Sequence, residues 1–257
     1  MRINTIIFMF WENIFFKKVI KKIASFFDFS GAVILMYHSV GYNNEFFTVR
    51  PEDFEKQTGY LKEKNFKIIS LTELGGLLER NEKVNKKTVV ITFDDGYEDN
   101  FLIAYPILKK NGFTATIFAV SSLIGKTIKA GRGTEMKMLS EQQIKELAHS
   151  GLIKFGSHAN NHQKLAKLEK KEIEKELIDS KRVLLNILGE EVVSLAYPFG
   201  SCNEQVKKIA GKYFKIACGV ESGLIHNNQN RWQLPRFSID SRVDFRRFKF
   251  ILWKGSL

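Results

Sequence analysis

The sequence predicts an α/β fold, a TIM-like barrel of parallel strands with helices around it. Apolar β-rich runs and helical patterns alternate about seven or eight times along the chain. The strand runs are continuously apolar, as expected when both faces of a sheet are covered. Polar residues gather where these runs end, and barrels of this kind carry their chemistry at the carboxyl ends of their strands.

Short runs of β-branched and aromatic residues between turn residues predict the strands. In chain order they are 31–40, 66–71, 88–93, 115–120, 152–158, 192–200, 214–220 and 234–240. Apolar periodicity with end signals predicts the helices. These are 50–65, 72–81, 104–111, 140–151, 169–188 and 204–213.

Several helix ends carry capping signals. Pro51 suits the first turn of helix 50–65. Thr72 is predicted to cap helix 72–81. Ser140 is expected to open helix 140–151 and Gly151 to close it.

Residues 1–30 differ from the rest, and we expect the folded domain to span 31–257. The apolar stretch 3–16 is broken by polar residues and is too short for a membrane span. Lysines follow it in 17–27, the reverse of a secretory signal, and no small-residue cleavage site is present.

Residues 3–27 therefore predict an amphipathic helix resting on an anionic membrane surface. A helix packed on the protein's own core is the alternative. The positive charge after the apolar run favours the cytoplasmic face of the membrane over secretion.

The chain has 40 Lys and Arg against 28 Asp and Glu, a net charge of +12. The excess is spread as lysine pairs over helices, without an Arg-rich arm or zinc-finger spacing. This excess of positive charge has several explanations that are as good as nucleic-acid binding. They are solvated lysine-rich helix faces, an anionic lipid surface and a phosphate-bearing substrate. We expect no nucleic-acid partner, a monomer, and two reduced cysteines, Cys202 and Cys218.

Two histidines four residues apart, His158 and His162, lie in "GSHANNHQKL". On a tight turn both imidazoles can reach one metal ion, although such pairs are also common as surface residues. A carboxylate would complete a His₂-carboxylate site with open positions, which is typical of catalytic Zn²⁺. Co²⁺ and Ni²⁺ are alternatives.

Two neighbouring carboxylates, Asp94 and Asp95, end the strand in "TFDDGY". One can bind a divalent cation while the other stays free as a general base beside it. The cation would also relieve the repulsion between the two charges.

Three ordered motifs resemble those of the polysaccharide deacetylases with the NodB-homology fold, carbohydrate esterase family 4. They are "TFDDGY" (92–97), "SHANNH" (157–162) and "AYPFG" (196–200). The resemblance covers roughly 31–240 and implies a distorted (β/α)7 barrel. It implies metal-dependent hydrolysis of the N-acetyl group of an amino sugar.

The same resemblance implies roles for individual residues. Asp94 would be the general base, and Asp95, His158 and His162 the metal ligands. The backbone N–H of Phe199 would help to bind the oxyanion.

Two departures from the family pattern move expected roles elsewhere. No histidine follows Asp240, where most members carry the general acid. His38, at the end of the first strand, resembles the acid of the branch that deacetylates poly-N-acetylglucosamine, with a strand-end structural histidine as the alternative. Ala196 stands where many members have Arg, so Arg236 is expected to place its charge beside the base, with a structural ion pair as the alternative.

Aromatic side chains stack on sugar rings, and four are candidates to line a sugar-binding groove, with a place in the core the equal alternative for each: Tyr37, Tyr97, Tyr197 and Trp232. The expected substrate is an N-acetylated glycan or a lipid-linked amino sugar. Another amide hydrolase or deformylase on the same metal centre, and an inactive sugar-binding module, are the competing functions.

Overall fold

The computed structural model describes residues 31–227 and 229–254. These residues form one compact unit. The amphipathic segment expected at 3–27 lies outside the described residues and stays a prediction. None of the described helices is long and apolar enough to span a membrane.

Twelve strands are present in the described ranges. They are β1 Val33–Tyr37, β2 Ser39–Val40, β3 Thr48–Val49, β4 Lys67–Ile68, β5 Thr88–Phe93, β6 Ala115–Ala119, β7 Thr127–Ala130, β8 Thr134–Lys137, β9 Ile153–Ser157, β10 Ser194–Ala196, β11 Ile216–Cys218 and β12 Phe237–Ser238.

Within the same described ranges, seven α-helices accompany these strands. They are α1 Pro51–Glu63, α2 Leu71–Glu79, α3 Tyr105–Asn111, α4 Glu141–His149, α5 Lys170–Leu188, α6 Glu204–Tyr213 and α7 Phe245–Lys254. A π-helical turn, Asn100–Ala104, leads into α3.

The main sheet is parallel throughout and runs β11-β10-β9-β6-β5-β1-β12, with β4 beside β5. Its two ends are linked by one short segment, 234–238. Leu234 bridges Cys218 of β11, and Phe237 pairs with Leu35 of β1. We name 234–238 the closing segment. The sheet is therefore the distorted (β/α)7 barrel that the sequence predicts.

Side chains alternate between the two sides of each strand, because strand periodicity is two residues. On β5, Val89, Ile91 and Phe93 join the large cluster that contains the buried apolar side chains of most helices, although not those of α2. Val90 points the other way, into a smaller cluster with Phe118 of β6. Both sides are apolar, which explains why the strand runs are continuously apolar.

Some local predictions change. Ser70, not Thr72, caps α2: its Oγ accepts the Glu73 N–H, and the Glu73 carboxylate accepts the Ser70 N–H and O–H. The caps of α4 agree with the prediction, with Ser140 at its start and Gly151, at φ 73°, just after its end.

Among the strands and α-helices, three features were not predicted: the two-residue β3, the β7–β8 hairpin and α7. The hairpin strands are four residues each, too short for a clear alternation. Helix α7 contains a Phe- and Arg-rich stretch whose buried members are Phe248, Ile251 and Leu252.

Candidate active site

The carboxyl ends of three parallel strands converge on one cleft of ≈ 400 Å³. His38 follows β1, Asp94 and Asp95 follow β5, and His158 follows β9. The cleft is also lined by His162 and by apolar residues that include Phe46, Phe47, Tyr97, Leu123, Ile128 and Phe199. The polar residues that the sequence predicts at strand ends thus lie together at a single site.

The backbone is left-handed at four non-glycine residues of this site. Asp95 has φ 70°, Ala159 φ 59°, His162 φ 55° and Phe199 φ 58°. In the described part of the chain only two other non-glycine residues have positive φ, and both are asparagines, which tolerate it. Such conformations cost about 1–3 kcal/mol each and cluster at functional sites.

Asp95, His158 and His162 bring their ligand atoms within 4.8 Å of one another. The His158 Nε2 lies 3.5 Å from Asp95 Oδ1, and the His162 Nε2 lies 3.3 Å from the same oxygen. A tetrahedral Zn²⁺ with bonds of about 2.0–2.1 Å separates its ligands by roughly 3.3 Å. Both the donor types and these two separations fit a divalent cation with positions left open.

The ring orientations of the two histidines favour the same interpretation. The His158 Nδ1 lies 2.8 Å from the Ala196 carbonyl, which can only accept, so Nδ1 carries the proton and Nε2 offers its lone pair. Burial, and next the nearby His158, lower the pKa of His162. A neutral His162 is the form that binds a metal.

Asp94 is the carboxylate left outside this ligand group. It is 3% exposed, and the Arg236 guanidinium donates to it through two hydrogen bonds of 2.7 Å each. Burial is the largest single influence and opposes ionisation of Asp94, but the charge of Arg236, the charge of His158 and the hydrogen bonds from Arg236 together hold the pKa of Asp94 well below its usual range. Asp94 is therefore an anion at neutral pH.

Arg236 is completely buried and belongs to the closing segment. Its Nε donates to the Gly219 carbonyl at 2.9 Å, and Nη1 also donates to Thr92 Oγ1 at 3.2 Å. Arg236 therefore places beside Asp94 the positive charge that Ala196 cannot supply.

His38 lies in the same cleft as both aspartates, on the side of Phe47, whose ring centroid is 6.0 Å from the His38 ring. Asp240 also lines the cleft and was not singled out from the sequence. It comes just after β12, so the strand-end rule that selected the other polar residues could have found it. Burial would raise the pKa of Asp240, but hydrogen bonds from Arg242 hold it below its usual range.

Phe199 stands at the rim, with its side chain among the exposed large apolar groups and its ring centroid 4.5 Å from that of His162. The ring of this residue is thus next to His162, one of the three candidate metal ligands. Tyr97 also lines the cleft: its ring stacks on Phe47 at 5.7 Å. Burial, and then the charge of Asp95 and a hydrogen bond to it, raise the pKa of Tyr97.

The groove prediction is wrong for Tyr37 and Tyr197. Both are almost fully buried, and their side chains point to the helical side of the sheet with the odd-numbered residues of β1 and β10. The Tyr37 hydroxyl donates to Gln57 Oε1, and the Tyr197 hydroxyl to the Trp232 carbonyl, each at 2.8 Å. Trp232 is not among the residues that line the cleft; its Nε1 donates to the Phe214 carbonyl.

The other two histidines lie away from this cleft. His149 is in the last turn of α4, with Nδ1 2.6 Å from the Lys145 carbonyl. His226 is exposed in a loop. Neither lines the cleft described above.

A sequence profile of the polysaccharide deacetylase family matches residues 81–214, which is just over half of the chain. The matched range contains Asp94, Asp95 and both ligand histidines. The chain belongs to the polysaccharide deacetylase family.

Individual members of the family extend the match. The Bacillus subtilis protein YxkH, whose name places it among polysaccharide deacetylases, is 33% identical over 207 residues, covering 80% of this chain and 70% of YxkH. A Staphylococcus aureus poly-beta-1,6-N-acetyl-D-glucosamine N-deacetylase is 30% identical over 205 residues, covering 75% and 68%.

A solved relative has the same fold. The Streptococcus pyogenes deacetylase PplD, whose structure contains acetate, superposes with a TM-score of 0.75 at 26% identity, covering 88% of this chain and 99% of PplD. Outside the family profile lie His38 and Arg236, so their roles depend on the geometry of this chain.

Proposed function

We propose that this protein is a metal-dependent hydrolase that removes the N-acetyl group from an amino-sugar residue of a polysaccharide or glycolipid and releases acetate. One observation carries the proposal. A three-ligand group of Asp95, His158 and His162 lies in one cleft with a separate, arginine-paired carboxylate, Asp94, in a member of the polysaccharide deacetylase family.

Asp95, His158 and His162 would hold the cation, with Zn²⁺ suited to this donor set. When bound, it would supply Lewis acidity that polarises the acetyl carbonyl and acidifies water.

Asp94 would take a proton from the attacking water as general base. Arg236 keeps Asp94 anionic and fixes both carboxylate oxygens, so the base is present and oriented before substrate arrives. The Phe199 N–H would donate to the carbonyl oxygen as negative charge develops on it.

His38 would give a proton to the departing nitrogen. The carbon–nitrogen bond breaks with its electron pair on nitrogen, and that nitrogen leaves as the free amine of the sugar. Water supplies the oxygen and hydrogen that complete acetate and the amine, so the hydrolysis balances without a further reactant.

The first test is acetate release from N-acetylated glycans, including poly-β-1,6-N-acetylglucosamine and chitin oligomers, and from lipid-linked amino sugars. We expect release that a chelator abolishes and Zn²⁺ restores. Asp94→Asn should lower the rate by about 10²–10⁴-fold. His149→Ala, which changes an exposed histidine outside the cleft, should leave the rate unchanged.

Activity that survives both chelation and Asp94→Asn would overturn the mechanism. Full activity of His38→Ala would contradict the acid assignment alone. Hydrolysis of N-formyl or small acyl amides without action on any N-acetylated sugar would favour a different amide hydrolase, and sugar binding without turnover would favour a binding module.

The Staphylococcus aureus relative is named for a polymer of N-acetylglucosamine, which supports testing that polymer first. A peripheral position on the cytoplasmic face of the membrane, through residues 3–27, would favour a lipid-linked substrate. A vesicle-binding assay that compares the full chain with residues 31–257 would test that position.

A further inference from the structure

The turn between the two ligand histidines is held by one buried carboxylate, Glu176 of α5. Its Oε2 accepts the Asn160 N–H at 3.0 Å and the Asn161 N–H at 2.8 Å. Its Oε1 accepts the Asn161 side-chain N–H at 2.6 Å. Glu176 is 6% exposed, although glutamate is almost never this buried unless it is paired.

This turn needs such support because its backbone is strained. Ala159 and His162, on either side of Asn160 and Asn161, have left-handed backbones. Residues in this region cost about 1–3 kcal/mol each and persist only where the surroundings enforce them. The consecutive N–H groups of Asn160 and Asn161 point to one oxygen atom of Glu176.

The opposite side of the turn is attached to the segment that follows β6. The Ser122 N–H donates to the Asn160 carbonyl at 3.0 Å, and Ser121 Oγ donates to Asn160 Oδ1 at 2.7 Å. The turn is thus held by hydrogen bonds to Ser121 and Ser122 and by hydrogen bonds to Glu176. Without Glu176, two backbone donors and one side-chain donor would lose their acceptor.

Glu176 contacts neither a ligand atom nor the cleft lining. Its helix neighbours Ile173, Leu177 and Ser180 are buried, and Ser180 Oγ lies 2.8 Å from Ser157 Oγ, beside His158. Helix α5 is therefore fixed against the strand that carries the first ligand, and its one buried acid reaches the turn that carries the second.

We propose that Glu176 is a positioning residue for the metal site: it sets the backbone turn that aims His162 at the same point as His158 and Asp95. The proposal rests on the metal site of the proposed function but not on the reaction or its substrate. Outer residues that orient metal ligands typically change metal affinity by about 10–100-fold when they are removed.

The test is Zn²⁺ affinity of the full chain, measured by competition with a chromophoric chelator. We expect Glu176→Ala to bind Zn²⁺ about 10–100-fold more weakly than the wild type. Glu176→Gln should recover most of the affinity, because its amide oxygen can still accept both backbone N–H groups. Glu174→Ala is the matched control on the same helix: it removes an acid paired with Lys212 at 3.2 Å, away from the turn.

Wild-type affinity in a folded Glu176→Ala variant would overturn the proposal. Because that variant can fail to fold, hydrogen exchange on the metal-free wild type gives a second measurement. The amides of Asn160 and Asn161 should exchange slowly, and exchange as fast as in an exposed loop would equally overturn it.

Both measurements are independent of deacetylation. A chain that hydrolyses no N-acetylated sugar but binds Zn²⁺ in a Glu176-dependent way would refute the proposed function and support this positioning role. An active enzyme whose Zn²⁺ affinity is unchanged by Glu176→Ala would support the proposed function and refute the positioning role.

Discussion

The pairing of Asp94 with Arg236 is the feature of single residues that the sequence indicates least directly. The two residues are 142 positions apart, and a buried arginine has no signature of its own in the chain. Strand-end placement predicted that both would lie at one edge of the barrel. It could not predict that the Arg236 guanidinium would form a bidentate pair with the carboxylate of Asp94.

Breaking this pair should be costly. We expect Arg236→Met to lower the free energy of unfolding of the metal-free protein by about 3–5 kcal/mol, because it leaves Asp94 buried and charged without a partner. Urea denaturation measures it. The double variant with Asp94→Asn should recover part of the loss, because the uncompensated charge is then gone.

The control is Lys110→Met, which removes an exposed pair with Glu55 and should change the free energy by no more than about 1 kcal/mol. An Arg236→Met variant as stable as this control would show that the buried pair does not contribute as described.

A second, partly buried acid, Asp99, makes stability depend on pH. Burial raises the pKa of Asp99 from 3.8 to about 6, even though Ser39 Oγ, the Val40 N–H and the Asn100 side chain donate to it. The folded state therefore holds this proton more tightly than the unfolded state. The contribution of Asp99 is fully present below about pH 4 and is lost as the pH rises to about 6.

Asp99→Asn removes this titration. We expect the difference in free energy of unfolding, variant minus wild type, to move in favour of the variant between pH 4 and pH 7. Urea denaturation at several pH values measures the slope, and Asp53→Asn, at an exposed site, is the control. A flat difference across this range would contradict the expected effect of burial.

At the scale of elements, most of the barrel could be predicted because parallel strands buried on both faces leave long apolar runs. The alternation within a strand was harder to use. When both faces are apolar, nothing in β1 shows that Tyr37 points to the helices while His38 reaches the cleft, so the groove prediction for Tyr37 was wrong. Glu176 was missed for a related reason, since its partners lie 15 and 16 residues earlier in a different element.

Strands β6, β9 and β10 pack so closely that a larger residue at Gly156 of β9 should destabilise the protein. A Cβ on Gly156 of β9 would stand 2.5 Å from Phe118 and 2.5 Å from Ser194 Oγ. Gly156→Ala should therefore cost about 1–3 kcal/mol through overpacking. The free energy of unfolding from urea denaturation measures this cost.

Gly59 offers the matched comparison. It is exposed inside α1, and a Cβ there would meet nothing within 4 Å. Gly59→Ala should stabilise the protein by about 0.5–1 kcal/mol, because alanine loses less backbone freedom on folding. Equal effects of the two substitutions would contradict the strand packing described for Gly156.

At the scale of the whole molecule, the metal-ligand group joins elements that are distant in sequence, so occupancy should stabilise the entire fold. Ligand that binds only the folded state at 100 times its dissociation constant adds about 2.7 kcal/mol. For a protein of this size that corresponds to a rise in melting temperature of about 5–11 °C. Thermal unfolding with Zn²⁺ and with chelator measures the shift.

The histidines provide the controls for this shift. His158→Ala should abolish it, because His158 contributes one of three ligand atoms. His149→Ala should leave it intact, because that ring lies outside the cleft lining and its Nδ1 is 2.6 Å from the Lys145 carbonyl of its own helix. A zinc-induced shift that persists in His158→Ala would indicate binding elsewhere.

The closing segment has a consequence for the order in which a growing chain can assemble. Asp94 leaves the ribosome 142 residues before Arg236, which takes about 7–28 s at translation rates of about 5–20 residues per second. Throughout that interval the nascent barrel has neither the segment that links β11 to β1 nor the guanidinium that pairs with Asp94. Asp94 therefore cannot be enclosed until β12 has been made, and synthesis of the closing segment completes the barrel and the cleft together.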